Sequence, residues 1–233
     1  MFPLRDSIPS SRPPVVTVLL IAACTLVFIF ELSLGRGLER FLLAYAFMPA
    51  RLFHPAAFGV SLFFNVKSTL LSIFLHGGWL HLIGNMWFLW IFGDNVEDTL
   101  GHGRYLVFYL VSGGVAALAQ AAVAPASQVP MIGASGAIAG VLGAYLVWFP
   151  RAQVKTLVFL GILFWIMDLP ALLFLALWFV VQFFSGTLAI ASASAGGGGV
   201  AFFAHIGGFI TGIIVALTLR FAGIVRPYRP NRV

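Results

Sequence analysis

The chain has 233 residues, 61% of them hydrophobic and only 9% charged. A soluble domain carries about 25% charged residues, so this chain cannot cover itself with a solvated surface and its composition calls for lipid. The formal charge of +6 forms no basic stripe. Lys and Arg sit at the ends of apolar runs, as in membrane proteins, which argues against nucleic acid as a partner.

Residues 1–14 read as a short tail with no signal-peptide cleavage site. Six runs then approach the roughly 20 apolar residues that a helix needs to cross the hydrocarbon core: 15–34, 70–92, 105–123, 135–149, 169–184 and 200–221. The fourth is shorter than ideal. The first holds the single cysteine, Cys24, which cannot form an internal disulfide and leaves the redox compartment unread. Residues 154–167 are also apolar, but Asp168 and Pro170 separate them from the fifth run, and they read as an interfacial or partly inserted segment. Residues 192–199, SASAGGGG, join the fifth and sixth runs as a linker or a moving lid. Residues 222–233 form a short basic tail. No repeat of 20 to 50 residues is present. The expected fold is therefore an all-α, six-helix membrane domain over 15–221, sized as one unit.

Charge sets its direction. With six spans, one side collects both tails and Arg5, Arg12, Arg104, Arg151, Lys155, Arg220, Arg226, Arg229 and Arg232. The other side holds Arg36, Arg40, Arg51 and Lys67, all in the first loop. The positive-inside rule makes the tails cytoplasmic and the first loop external. Cytoplasmic tails without a targeting extension point to a prokaryotic plasma membrane.

Polar residues inside lipid call for a reason. The second run holds His81 and Asn85, preceded by His76. The fourth opens on Gly133-Ala134-Ser135-Gly136, and the sixth contains His205. These three runs are parallel, and at about 1.5 Å per residue their polar groups fall within about 15 Å in depth, near the outer half of the bilayer. His81 and Asn85, at i and i+4, share a helix face. His76 does not share it and reads as a supporting residue.

Singly, each of these residues has a plain structural explanation. A serine can bond the carbonyl four residues back. A histidine can join helices, and the pairs Gly136/Gly140 and Gly208/Gly212 suit close packing. Jointly they suit a hydrolase. Ser135 is a nucleophile once a base takes its proton, and His205 has the chemistry to do so. No acidic residue lies on the fourth or sixth run. A Ser135–His205 dyad is thus the simpler arrangement, with packing rather than a carboxylate holding the imidazole. Gly207 and Gly208 let the sixth span approach the fourth, and Gly136 clears space beside the nucleophile. Backbone amides around Gly133 and Ser135, with the Asn85 and His81 side chains, can meet a developing oxyanion. A metal is not expected, because His76 and His81 lack the i, i+4 spacing of a zinc-binding helix. No cofactor is called for.

These residues carry a resemblance. His76-Gly-Gly-Trp-Leu-His81-Leu-Ile-Gly-Asn85, Gly133-Ala134-Ser135-Gly136, Ala204-His205-Ile206-Gly207-Gly208 with Gly212, and Asn95-Val-Glu97-Asp-Thr-Leu-Gly101 are similar to motifs of the rhomboid intramembrane serine proteases. The resemblance implies a six-helix core that cuts transmembrane protein substrates near their outer end. It implies Ser135 as nucleophile, His205 as base, and Asn85 and His81 at the oxyanion. The Trp-Arg pair that many relatives carry in the first loop is missing here. The other reading is a rhomboid-like, non-catalytic protein that binds or escorts membrane proteins. The oligomeric state is not encoded legibly.

Overall fold

The computed structural model describes residues 1–160, 163–191 and 201–225. The expected lid or linker at 192–199 and most of the basic tail, residues 226–233, lie outside the described residues. A strand β1 (Phe2–Asp6) precedes helix α1 (Val15–Ser33). The first loop folds into α2 (Leu38–Tyr45), α3 (Pro49–Phe53), α4 (Pro55–Phe58) and α5 (Leu62–Ser72). Long helices α6 (Trp79–Leu100) and α7 (His102–Val123) lead to α8 (Ser135–Trp148). Strands β2 (Gln153–Leu160) and β3 (Leu163–Pro170) follow, then α9 (Ala171–Ala191) and α10 (Phe202–Phe221).

Three described helices are long and apolar enough to cross a membrane: α1, α7 and α10. Helix α8 is apolar but shorter, as is the apolar stretch of α9 over Ala171–Ser185. Helix α6 is long, but its polar residues lower its hydropathy. The run expected at 70–92 is not one helix. It breaks at residues 73–78, between α5 and α6, and His76 lies in the break.

The architecture is mostly helical but not all-α. Residues 154–160 and 163–167, in a stretch expected to be interfacial or partly inserted, lie in the antiparallel strands β2 and β3, and β1 from the supposed tail pairs with β2 in the order β1-β2-β3. The run is rich in Val, Thr, Phe, Ile and Trp, which suit a pleated surface. Lys155 and Asp168 sit opposite each other in register and form an ion pair at 3.1 Å. Val154 and Thr156 at the base are fully buried, while Phe159, Phe164 and Ile166 farther out are exposed. The sheet lies at the end of α8 remote from Ser135.

The rest of the N-terminal segment is also tied down. The Trp87 indole N–H donates to the Pro3 carbonyl at 2.6 Å, and Asn95 Nδ2 donates to the Ile8 carbonyl at 3.1 Å. The Tyr145 hydroxyl donates to Asp6. Glu97 accepts the backbone N–H groups of Val16 and Thr17, both at 2.8 Å, and the Thr17 hydroxyl at 2.7 Å. A carboxylate there satisfies orphan amides and meets the positive end of the α1 dipole.

Helix α8 is the centre of the bundle, with every residue from Gly136 to Tyr145 buried. A helix apolar on all sides belongs inside, which accounts for its short length. It packs on α10 backbone to backbone. A Cβ placed on Gly208 would overlap the Gly136 carbonyl, one on Gly212 the Gly140 carbonyl, and one on Gly143 the Phe209 carbonyl. On the other side, a Cβ on Gly136 would come within 2.6 Å of Ala116 Cβ, and one on Gly140 within 2.5 Å of Ser112. Gly207 gives the same clearance between α10 and α7, at Ala119. Small residues let membrane helices approach this closely.

Candidate active site

The seam between α8 and α10 puts the first residue of one helix beside the first turn of the other. Ser135 Oγ lies 2.7 Å from His205 Nε2. His205 Nδ1 lies 2.6 Å from Gln182 Oε1, on α9. An amide oxygen only accepts, so Nδ1 carries the ring proton and Nε2 presents a lone pair to the Ser135 hydroxyl. His205 is buried, with a relative exposure of 8%. Trp178 on α9 and Phe202 on α10 flank it, with ring centroids at 6.0 and 6.4 Å.

Gln182 has no part in the site read from the sequence, where packing alone was expected to hold the imidazole. Its signal was present: it is the lone amide in the apolar fifth run, and a polar group in lipid asks for a partner. What the sequence lacked was the pairing of α9 with α10, because residues 192–199 between them set no register.

Helix α6 supplies the next layer. The Gly77 backbone N–H points to His81 Nδ1 at 3.4 Å, so His81 accepts at Nδ1 and its proton sits on Nε2. Asn85 is buried, and its Nδ2 has no hydrogen-bond partner among the described residues. Both groups border Gly133. A Cβ on Gly133 would lie 2.6 Å from His81 Nε2 and 3.7 Å from Asn85 Nδ2. Gly133 has φ +122°, a region open to glycine. Its own N–H donates to the Ser72 carbonyl at 2.9 Å. The Gly133 N–H, expected from its place beside Ser135 to face an oxyanion, is thus engaged by Ser72 in this structure. Gly133 contributes the empty space into which His81 and Asn85 can donate. An amide donor left unpaired in a buried site is costly, and an incoming oxyanion would satisfy it.

The loops hold this layer in place. The Ser72 hydroxyl accepts the Phe47 N–H at 2.6 Å, while the Ser72 carbonyl holds Gly133. The Met131 N–H donates to the Phe47 carbonyl at 2.8 Å, and the Ala50 N–H to the Ser127 carbonyl at 2.9 Å. The first loop thus docks on the approach to Ser135 without a Trp-Arg pair. His76, expected as a supporting residue, donates its backbone N–H to Glu31 Oε2 at 3.1 Å. Its ring stands edge-on to that of His81, 5.2 Å between centroids. Glu31 therefore anchors the break before α6 and has no hydrogen bond to His205. No cluster of three or more His, Cys, Asp or Glu suited to a metal occurs among the described residues.

The family model described as "Rhomboid domain" matches residues 63–221. The chain belongs to the rhomboid family. The chain is similar to "Rhomboid protease GluP" of Bacillus subtilis (strain 168), at 44% identity over 77 residues, 33% of this chain and 15% of that protein. It is 38% identical over 74 residues to "Putative rhomboid protease YdcA" of the same organism, 32% of this chain and 37% of the relative. It is 34% identical over 86 residues to "Presenilin-associated rhomboid-like protein, mitochondrial" of Homo sapiens, 36% of this chain and 23% of the relative. The matched stretches thus span between 15% and 37% of these relatives' lengths. This rhomboid has bacterial and mitochondrial relatives alike.

Proposed function

We propose that this rhomboid is an intramembrane serine endopeptidase that cleaves transmembrane segments of membrane-protein substrates. The observation that carries the reading is the 2.7 Å contact between Ser135 Oγ and His205 Nε2, inside a largely apolar helix bundle. A hydroxyl within hydrogen-bond reach of an imidazole lone pair is the ground-state geometry for nucleophilic attack. His205 Nε2 takes the Ser135 proton as Oγ bonds the scissile carbonyl carbon. The carbonyl oxygen becomes an oxyanion beside Asn85 Nδ2 and His81 Nε2–H. The imidazolium then gives its proton to the departing amide nitrogen as the C–N bond breaks. Water repeats the cycle on the acyl-enzyme and frees Ser135.

The six-crossing topology, with cytoplasmic tails and the site towards the outer face, belongs to this reading, as does a prokaryotic plasma membrane. Charge distribution and the shared end of α6, α8 and α10 support it. Lipid is the solvent around the bundle; exposures of 61% at Leu19, 67% at Leu26 and 58% at Ile214 suit hydrocarbon rather than water. A non-catalytic binding protein would have no need of a paired nucleophile and base or of an unpaired buried amide donor.

The test uses purified protein in liposomes with a membrane-anchored reporter that has small residues near the scissile bond. The parent is expected to cleave it, and Ser135→Ala and His205→Ala each to abolish cleavage while retaining the parent's thermal unfolding profile. Cleavage by Ser135→Ala at the parent's rate would sink the proposal. A fluorophosphonate should label the parent at Ser135 only.

A further inference from the structure

We infer that Gln182 is a positioning residue for His205, so that the working unit is Ser135–His205–Gln182 rather than a bare pair. This rests on the proposed hydrolase reading for its consequence, but on geometry of its own for its premise. The Gln182 Oε1 to His205 Nδ1 contact is 2.6 Å, as short as the contact that joins His205 to Ser135. The two nitrogens of one ring are thus both engaged, by different helices, and the proton state of one fixes the role of the other. With Nδ1–H held by Gln182, Nε2 is the acceptor that a base needs to be. Without that hold, the ring can place its proton on Nε2, where it would donate to Ser135 and could take nothing from it.

An amide suits this position better than an acid. Among the described residues, no Asp or Glu is hydrogen-bonded or ion-paired to His205. A carboxylate against a buried ring inside the bundle carries a large desolvation cost, whereas an amide oxygen accepts the same proton without a charge to bury. The amide also stays neutral while His205 gains and loses its proton. From α6, His81 is the other titratable ring near enough to act on His205 electrostatically, and it keeps its own proton on the side of Gly133. The remaining neighbours of the His205 ring, Trp178 and Phe202, are neutral aromatics.

The position of Gln182 has a second consequence. Trp178 and Gln182 are i and i+4, so one face of α9 presents both an aromatic wall and the acceptor to the same imidazole. Phe179, on the adjoining face, packs against Phe209 of α10 at 5.0 Å between centroids. The base is therefore aligned only while α9 lies against α10. A displacement of α9 by a couple of ångströms would leave Ser135 in place and release the ring that activates it.

Three variants test this: Gln182→Leu, Gln182→Glu and, as a background, Ser135→Ala. The first readout needs no activity. In protein carrying ¹⁵N-labelled histidine, with His205 signals assigned by loss in His205→Asn, the Ser135→Ala background should show the ring protonated at Nδ1. Adding Gln182→Leu should shift it towards Nε2. An unchanged tautomer in Gln182→Leu overturns the inference even if the protein proves not to be a protease. The second readout is the fluorophosphonate labelling rate of Ser135 across pH. Gln182→Leu is expected to lower it by about 10- to 100-fold, the size of loss typical when the partner that orients a functional imidazole is removed. Gln182→Glu should restore labelling and move the acid limb of its pH profile to higher pH by about one unit or more, because a carboxylate beside the ring favours imidazolium. A residue that merely packs would leave the tautomer unchanged in Gln182→Leu. Parent-like labelling in Gln182→Leu, or an unmoved limb in Gln182→Glu, overturns the inference. If Gln182→Leu fails to fold, Gln182→Met is read for the same tautomer shift, and an unchanged tautomer there overturns the inference. Absence of any labelling in the parent, with the tautomer shift intact, would instead count against the hydrolase reading.

Discussion

Among the described residues Asn85 Nδ2 is buried without a hydrogen-bond partner, while its neighbour His81 is held from Gly77. That asymmetry predicts different outcomes at the two positions. Asn85→Ala should lower kcat for the reporter by about 10²–10³, the usual loss for one oxyanion donor, with little change in KM. It should leave folding intact, because it removes an unsatisfied group rather than a made bond. His81→Ala should lower kcat and also loosen the Gly77 turn, visible as a lower unfolding temperature. An Asn85→Ala variant with parent-like kcat would remove Asn85 from the reaction. At this scale the sequence was most informative where a polar residue interrupts an apolar run: Ser135, His205, His81 and Asn85 all stand out that way. Gln182 stood out equally, but its partner is fixed by a helix contact that crosses 192–199, and no local spacing encodes that contact. The role of Gly133 was also illegible, since only the Ser72 carbonyl shows that its N–H is already engaged.

Helix α8 meets α10 through backbone atoms, so its glycines are not interchangeable with glycines elsewhere. Gly212→Val would drive a side chain into the Gly140 carbonyl. It is expected to destabilise the protein by about 1–3 kcal/mol or more, the range for overpacking, and to slow Ser135 labelling by pushing His205 away. Gly114, on α7, has nothing within 4 Å of its ideal Cβ. Gly114→Ala should leave both unfolding temperature and labelling at parent levels. Equal losses from the two substitutions would refute the seam as the determinant of site geometry. Helix positions were largely readable because apolar length is a strong signal in lipid. The β2–β3 strand pair was not, because an apolar run of that length suits a strand, a buried helix or an interfacial segment equally well. Its register is set by Lys155 facing Asp168, and by β1 arriving from the other end of the chain.

For the molecule as a whole, the end remote from Ser135 is closed by contacts that titrate. Burial pushes the Asp6 carboxyl up to about 6, against the opposing hydrogen bond from Tyr145 and with help from the nearby charge of Asp94. A carboxyl that holds its proton more tightly folded than unfolded stabilises fully below its unfolded pKa of 3.8, and that stability is lost as pH rises towards about 6. The unfolding temperature in detergent should therefore fall between pH 4 and 6 more steeply in the parent than in Asp6→Asn. Identical slopes would exclude Asp6 as a contributor. The tail expected at 1–14 gave no hint of this, because Asp6 and Tyr145 are joined only through the fold.

The pairing of β1 with β2 also dictates an order of events. Phe2 lies opposite Leu157 and Asp6 opposite Val154, so β1 has no partner until β2, which follows α8, has been synthesised. Pairing over such a long separation is slow compared with helix formation. The strand must wait while α1, α6, α7 and α8 are made, and it closes the sheet afterwards. Amide protection at residues 2–6 should therefore be among the last to appear during synthesis. A nascent chain halted before Val154 would keep that strand open to proteases, with its α1 already in the bilayer.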